Sequence, residues 1–126
     1  MEAVTTEVSI GIVPTKTAPR FRIDPTWPKP LPEGWINGQL PCVCVDHDDN
    51  IICTNRGDIT KEEEETCIKA PAVLIFNQAG DLIDSWGDWD LLPRTVHSCC
   101  VDADDNIWIT ANRNPFKAGC LIVAVA

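Results

Sequence analysis

The sequence predicts an all-β chain, a partial β-propeller of about two four-stranded blades in an incomplete ring. Two observations carry that prediction. Cys44-Val45-Asp46-His47-Asp48-Asp49-Asn50-Ile51 returns as Cys100-Val101-Asp102-Ala103-Asp104-Asp105-Asn106-Ile107, at an offset of 56 residues. Between the copies lies an unlike second hairpin, so the repeating unit holds four strands rather than two.

Each copy reads as an apolar strand, an Asp-x-Asp-Asp-Asn turn and a second apolar strand. Asp and Asn suit such a turn because they tolerate left-handed backbone and bond nearby amides. In the first unit the strands fall at 42–46, 50–55, 72–77 and 81–86, the last two joined by Asn77-Gln78-Ala79-Gly80-Asp81. The second unit begins near residue 98 and reaches its third strand at Cys120–Val125. Arg20-Phe21-Arg22-Ile23 suits the last strand of a preceding unit. Pro25, Pro28, Pro30 and Pro32 then stiffen an extended connection, since proline cannot donate to a ladder. The chain therefore divides into a Pro-rich extended segment (1–33), a first blade (34–97) with an acidic loop at 57–70, and the start of a second blade (98–126). The charged run of that loop reads as a solvated surface excursion. A β-sandwich or a twisted open sheet could be built from the same hairpins; the fixed period favours the propeller.

Closed propellers need roughly four to eight blades. Two blades leave long unpaired apolar edges, which invite self-association. The expectation is a truncated piece of a propeller. A rarer alternative is a homotrimer in which three copies close one six-bladed ring and three His97 side chains converge on its axis.

Composition narrows the partners. With 10 basic against 19 acidic residues the formal net charge is −9, and a surface so acidic repels phosphate, which argues against nucleic acid or an anionic membrane. No uninterrupted apolar run approaches the roughly 18 residues of a membrane span. The first residues lack the cationic start and apolar core of a signal peptide. Of the 7 cysteines, Cys42, Cys44, Cys53, Cys99, Cys100 and Cys120 lie in apolar strand-like runs, where cysteine behaves as a small hydrophobe. Buried free thiols are the expected state, with disulfides or a zinc cluster as alternatives. Cys99 and Cys100, adjacent on a strand, point to opposite faces and do not suit one ion.

The Val-Asp-x-x-x-Asn-Ile pattern resembles an NHL repeat. A longer stretch, Asn37-Gly38-Gln39-Leu40 through Asn55-Arg56-Gly57-Asp58, Val73-Leu74-Ile75-Phe76-Asn77, Leu91-Leu92-Pro93, Val96-His97 and Trp108-Ile109-Thr110, is similar to the peptidyl-α-hydroxyglycine α-amidating lyases. The resemblance covers residues 34–112, about a third of that family's six-bladed propeller. It implies a lyase that splits a C-terminal α-hydroxyglycine into a peptide amide and glyoxylate, with a zinc held by three histidines and a calcium in the central channel. Carried over by position, His97 is one zinc ligand, Arg56 the active-site arginine, and Val43 and Cys99 give backbone carbonyls to calcium. The family's other two histidines and its tyrosine have no counterpart here. Ser98 stands where the family has glycine, and Arg94, Thr95 and Val96 stretch its leucine-proline-histidine run.

These residue types fit that chemistry. Zinc takes neutral imidazole, arginine offers a planar charged fork to a carboxylate, and calcium accepts backbone oxygens. One imidazole does not hold zinc tightly, so the chain alone is expected to be inactive. The plainer alternatives are a partly buried ordinary histidine at 97, a surface ion pair between Arg56 and Asp58, and turn roles for the Asp clusters. Trp86, Trp89 and Trp108 are expected to lie between blades. The functional alternative is a non-catalytic NHL propeller segment that serves as a binding scaffold.

Overall fold

The computed structural model describes residues 5–6, 18–89, 92, 95–111 and 121–125. The elements in order are β1 (Thr5–Thr6), β2 (Phe21–Arg22), β3 (Trp35–Ile36), β4 (Cys42–Val45), β5 (Ile51–Thr54), α1 (Lys61–Thr66), β6 (Ile68–Lys69), β7 (Val73–Phe76), β8 (Leu82–Trp86), β9 (Val96–Val101), β10 (Ile107–Ala111) and β11 (Leu121–Val125). Among the described residues the chain is all-β apart from one short helix. Two sheets dominate: an antiparallel four-stranded meander in the order β4-β5-β7-β8, and a three-stranded sheet in the order β11-β10-β9. The expected strands of the first unit lie where the alternation put them, a residue shorter at several ends, whereas β9 begins at Val96, two residues ahead of the expected start of the second unit and within the stretch assigned to the first blade. The short β2 pairs with β1 in a ladder of its own. Cys120, at the start of the expected third strand of the second unit, lies outside the described residues.

The two Asp-rich turns are copies in geometry as in sequence. Asp46 Oδ1 accepts from the amides of Asp48 and Asn50 at 2.9 Å each, and Asp102 Oδ1 does the same for Asp104 and Asn106, again at 2.9 Å. Asp49 and Asp105 take left-handed backbone, with φ of 61° and 62°, the conformation that Asp tolerates better than most residues.

How the sheets stack separates a propeller-like arrangement from a two-fold sandwich. On β4 and β5, Cys44 and Ile52 face the second sheet, which answers with Val96, Cys99, Val101, Ile107 and Ile109. Shifted back by the repeat, Cys99, Val101, Ile107 and Ile109 correspond to Val43, Val45, Ile51 and Cys53, which lie on the opposite face of the first sheet. Equivalent faces therefore do not meet. The repeat stacks front to back. The described residues form no closed ring. Ile52, Val73, Val96, Ile107 and Ile109 are at most 7% exposed, and each such burial is worth roughly 1.5–3 kcal/mol.

The far face of the first sheet is covered by the Pro-rich segment. Trp27, Leu31 and Trp35 lie against Cys53, Leu74, Phe76 and Ala70, with the Trp27 and Phe76 rings 5.8 Å apart. The segment is thus a cover as well as a connection. The acidic loop holds α1, whose Thr60 Oγ1 accepts from the Glu63 amide at 3.2 Å while the Thr60 amide donates to Glu63 Oε2 at 2.7 Å. This reciprocal cap, with Glu62, Glu63 and Glu64 at the positive end of the helix dipole, explains why a charged run without buried residues is helical. Past the helix, β6 pairs in parallel with β3.

Of the three tryptophans expected between blades, Trp86 lies in the core between the sheets. Trp89 and Trp108 do not. Trp89 covers Gly57 and donates from Nε1 to the Ala70 carbonyl at 3.2 Å. Trp108 lies on the outer face of the second sheet, 39% exposed, and donates from Nε1 to Asp102 Oδ2 at 2.9 Å. Its repeat counterpart is the buried Ile52, so an aromatic fills a position that the first sheet covers and the second leaves open.

Candidate functional site

The Asn55-Arg56-Gly57-Asp58 run is a hub. Asn55 is fully buried and uses its whole amide. Its Oδ1 accepts from the amides of Gly38 at 2.9 Å and Gly57 at 3.0 Å, and its Nδ2 donates to the carbonyls of Ala70 and Pro71, both at 3.1 Å. Asp58 Oδ1 accepts from the Gln39 amide at 2.6 Å. Gly38 admits no larger residue, because a Cβ there would stand 2.5 Å from the Asp58 nitrogen. Gly57 has φ of +60° with Trp89 packed over it, a position that favours glycine doubly.

Arg56, half-buried on this hub, reaches across to the second sheet. Its Nε donates to the Val96 carbonyl at 3.0 Å and its Nη1 to Gln39 Oε1 at 3.1 Å, while its own amide donates to the Gln39 carbonyl at 3.0 Å. Asp58 bonds to Gln39 rather than to Arg56, so the anticipated Arg56–Asp58 surface pair is replaced by an inter-sheet tie. The Nη2 side of the fork is left without a bond to the described residues.

His97 follows Val96 directly. The β9–β10 register runs Cys99 to Ile109 and then Val96 to Ala111, so His97 and Ser98 together oppose Thr110. That is a β-bulge, a device that re-aims a side chain and recurs beside functional sites. The corresponding stretch of β4 is regular, Cys42 opposite Thr54. Thr110 Oγ1 accepts from the Ser98 amide at 3.3 Å. The exposed His97 shares a hydrogen bond from Nδ1 with Ser98 Oγ at 2.8 Å, which leaves Nε2 as the ring nitrogen open to a ligand.

The Val43 and Cys99 carbonyls are placed by ladder arithmetic. The Asp46 amide donates to the Asn50 carbonyl at 3.1 Å and the Asp102 amide to the Asn106 carbonyl at 3.0 Å. Counting in twos along each regular register, Val43 and Cys99 fall in non-hydrogen-bonded pairs, with N–H and C=O turned away from the partner strand. Both carbonyls thus point off the edges of β4 and β9, with Cys42 Sγ 3.7 Å from the Val43 oxygen and 3.6 Å from the Cys99 oxygen. The Cys99 amide confirms the direction: it donates to Cys42 Sγ at 3.2 Å.

Zinc and calcium fare differently on these residues. Backbone oxygens on strand edges suit a hard cation such as calcium. Zinc needs about four ligands, and among the described residues no group of three His, Cys, Asp or Glu is arranged to hold a metal. His97 offers one imidazole, so no chemical step is derived through zinc.

Two features were not legible as a site. The front-to-back stacking brings Cys42, Cys44 and Cys99 into one seam, with Cys44 Sγ and Cys99 Sγ 3.0 Å apart. It also pairs the two turns, His47 Nδ1 meeting Asp105 Oδ1. For the seam the sequence offered only a conceivable zinc cluster of Cys42, Cys44, Cys99 and Cys100, and for the turns only the repeat, which says that the hairpins are alike but not which faces meet. No helix among the described residues is long and apolar enough to cross a membrane. The chain matches no protein-family model and no curated protein.

Proposed function

We propose that this chain forms two successive blades of an NHL-type propeller of the peptidyl-α-hydroxyglycine lyase-like class, with Arg56 as its carboxylate-binding residue. The observation that carries the reading is the Arg56 Nε to Val96 carbonyl bond at 3.0 Å. It ties the arginine of one sheet to the residue before His97 in the next, which is the neighbourhood that a shared site requires. The free side of the Arg56 fork suits a carboxylate in a planar, charge-assisted geometry. His97 Nε2 would supply one ligand to a zinc whose remaining ligands come from other blades, and the Val43 and Cys99 carbonyls two oxygens to calcium.

The chain by itself is expected to release no glyoxylate from a peptide ending in α-hydroxyglycine. It is expected to self-associate through its open blade edges, such as β4, where Val43 is 61% and Val45 53% exposed, measurably by light scattering. The direct test is ¹⁵N NMR of the Arg56 Nε–H during titration with such a peptide. A saturable shift that is lost when the peptide carries a C-terminal amide supports the reading. No shift at millimolar peptide overturns it. A second reading, a non-catalytic scaffold, is favoured by one observation: Arg56 already serves Val96 and Gln39. In that case Arg56 variants change stability and nothing else.

A further inference from the structure

We propose that Cys44 and Cys99 are a modification site, a thiol pair that closes to a disulfide across the seam between the two sheets when it meets a low-molecular-weight disulfide such as glutathione disulfide. The two Sγ atoms are 3.0 Å apart, so a bond of about 2.05 Å requires them to close by roughly 1 Å. Both residues lie on edge strands that are not hydrogen-bonded to each other, so the closure moves side chains and not a ladder.

Of the other described cysteines, Cys42 also bonds to the Cys99 thiol, and Cys53, Cys67 and Cys100 are placed so that they do not compete. Cys42 Sγ is held on the Cys99 backbone, accepting from its amide at 3.2 Å and lying 3.6 Å from its carbonyl. Cys53 is opposite Val43, on the face of the first sheet covered by the Pro-rich segment. Cys100 is exposed, and it alternates with Cys99 to the far face of the second sheet. Cys67 caps α1.

The exchange balances without a cofactor. The Cys44 thiolate attacks one sulfur of glutathione disulfide and expels a glutathione thiolate, leaving a mixed disulfide. The Cys99 thiolate then attacks the Cys44 sulfur, forms the intramolecular bond and expels the second glutathione. Two protein thiols are oxidised, one external disulfide is reduced to two thiols, and the protons lost by the cysteines pass to the two leaving thiolates. The attacking species is the thiolate, so the exchange accelerates as the solution is made alkaline. The product links residues that are 55 apart in sequence and locks the seam that carries the Arg56–Val96 tie.

The test is to incubate the folded chain with glutathione disulfide at pH 8 and to map cross-links by mass spectrometry of a proteolytic digest, with and without reducing agent. The expected product is a Cys44–Cys99 link, lost in Cys99→Ser and kept in Cys100→Ser. The oxidised chain is expected to melt about 10 °C higher than the reduced one, the gain disappearing with dithiothreitol. Mapping the wild-type chain needs no variant to fold. A link from Cys44 to any other cysteine, or full alkylation of Cys44 and Cys99 after oxidant treatment, overturns the proposal.

Discussion

Arg56 Nε donates to the Val96 carbonyl at 3.0 Å, immediately before the bulge that carries His97 and Ser98. One side chain thus fixes both the spacing of two sheets and the start of the irregular turn in β9. Arg56→Ala is expected to cost about 2 kcal/mol, the usual range for a hydrogen bond with a charged donor, read as a lower urea midpoint. Arg56→Lys is not expected to rescue it, because an ammonium replaces the planar fork that serves Val96 and Gln39 together. Faster amide exchange at Ser98 and Cys99 in both variants would locate the loss at the bulge. Unchanged exchange there would show that the tie does not hold it.

Asn55 supports that arginine from below. Replacing it with Ala strands the amides of Gly38 and Gly57 and the carbonyl of Pro71, while the Ala70 carbonyl keeps its bond from Trp89 Nε1. The expected cost is about 3 kcal/mol, more than for an exposed amide, because groups left unpaired in the interior keep their desolvation penalty. Asn55→Asp keeps the acceptor and loses the donors, so it is expected to fall between Ala and wild type in thermal unfolding.

Thr54 is a test in the opposite direction. It is fully buried in β5 and its Oγ1 has no hydrogen-bond partner among the described residues, whereas the corresponding Thr110 accepts from the Ser98 amide. Thr54→Val keeps the shape and removes an unmet hydroxyl, and is expected to stabilise the fold by about 1 kcal/mol. Thr110→Val is expected to destabilise. Equal effects of the two would mean that the bulge gives Thr110 nothing.

The hairpins were legible because their causes are local. Period-two alternation, Asp at the left-handed turn position and the repeat itself fix where Cys42–Val45 and Ile107–Ala111 run. The Asn-Arg-Gly-Asp run pointed to Arg56 but not to its partner, since Val96 is 40 residues away and the tie depends on which sheet faces meet. Trp108 illustrates the same limit. Its size suggested burial, yet it lies on the face that the described residues leave uncovered. The bulge at His97 was invisible for another reason: one extra residue in a strand leaves no composition signal, only a shift of register.

The His47–Asp105 pair between the two turns makes a pH prediction. The hydrogen bond and charge of Asp105 raise the His47 pKa above 6.5, with Asp46 and Asp48 acting in the same direction, and His47 in turn lowers that of Asp105 below 3.8. The His47 contribution is fully present below its unfolded value and is lost as pH rises through the raised folded value. The Asp105 contribution is present above its unfolded value and is lost as pH falls through the lowered folded one. The pair therefore helps most between about pH 4 and pH 6.5. In Asp105→Asn the His47 ring, followed by NMR, is expected to titrate at lower pH than in the wild type. The difference in melting temperature between the two proteins is expected to peak within that window and to shrink in 1 M salt, because both side chains are solvent-exposed. A His47 titration that does not respond to Asp105→Asn would mean that the two turns do not meet in solution, and with them the front-to-back contact of the two sheets would fail.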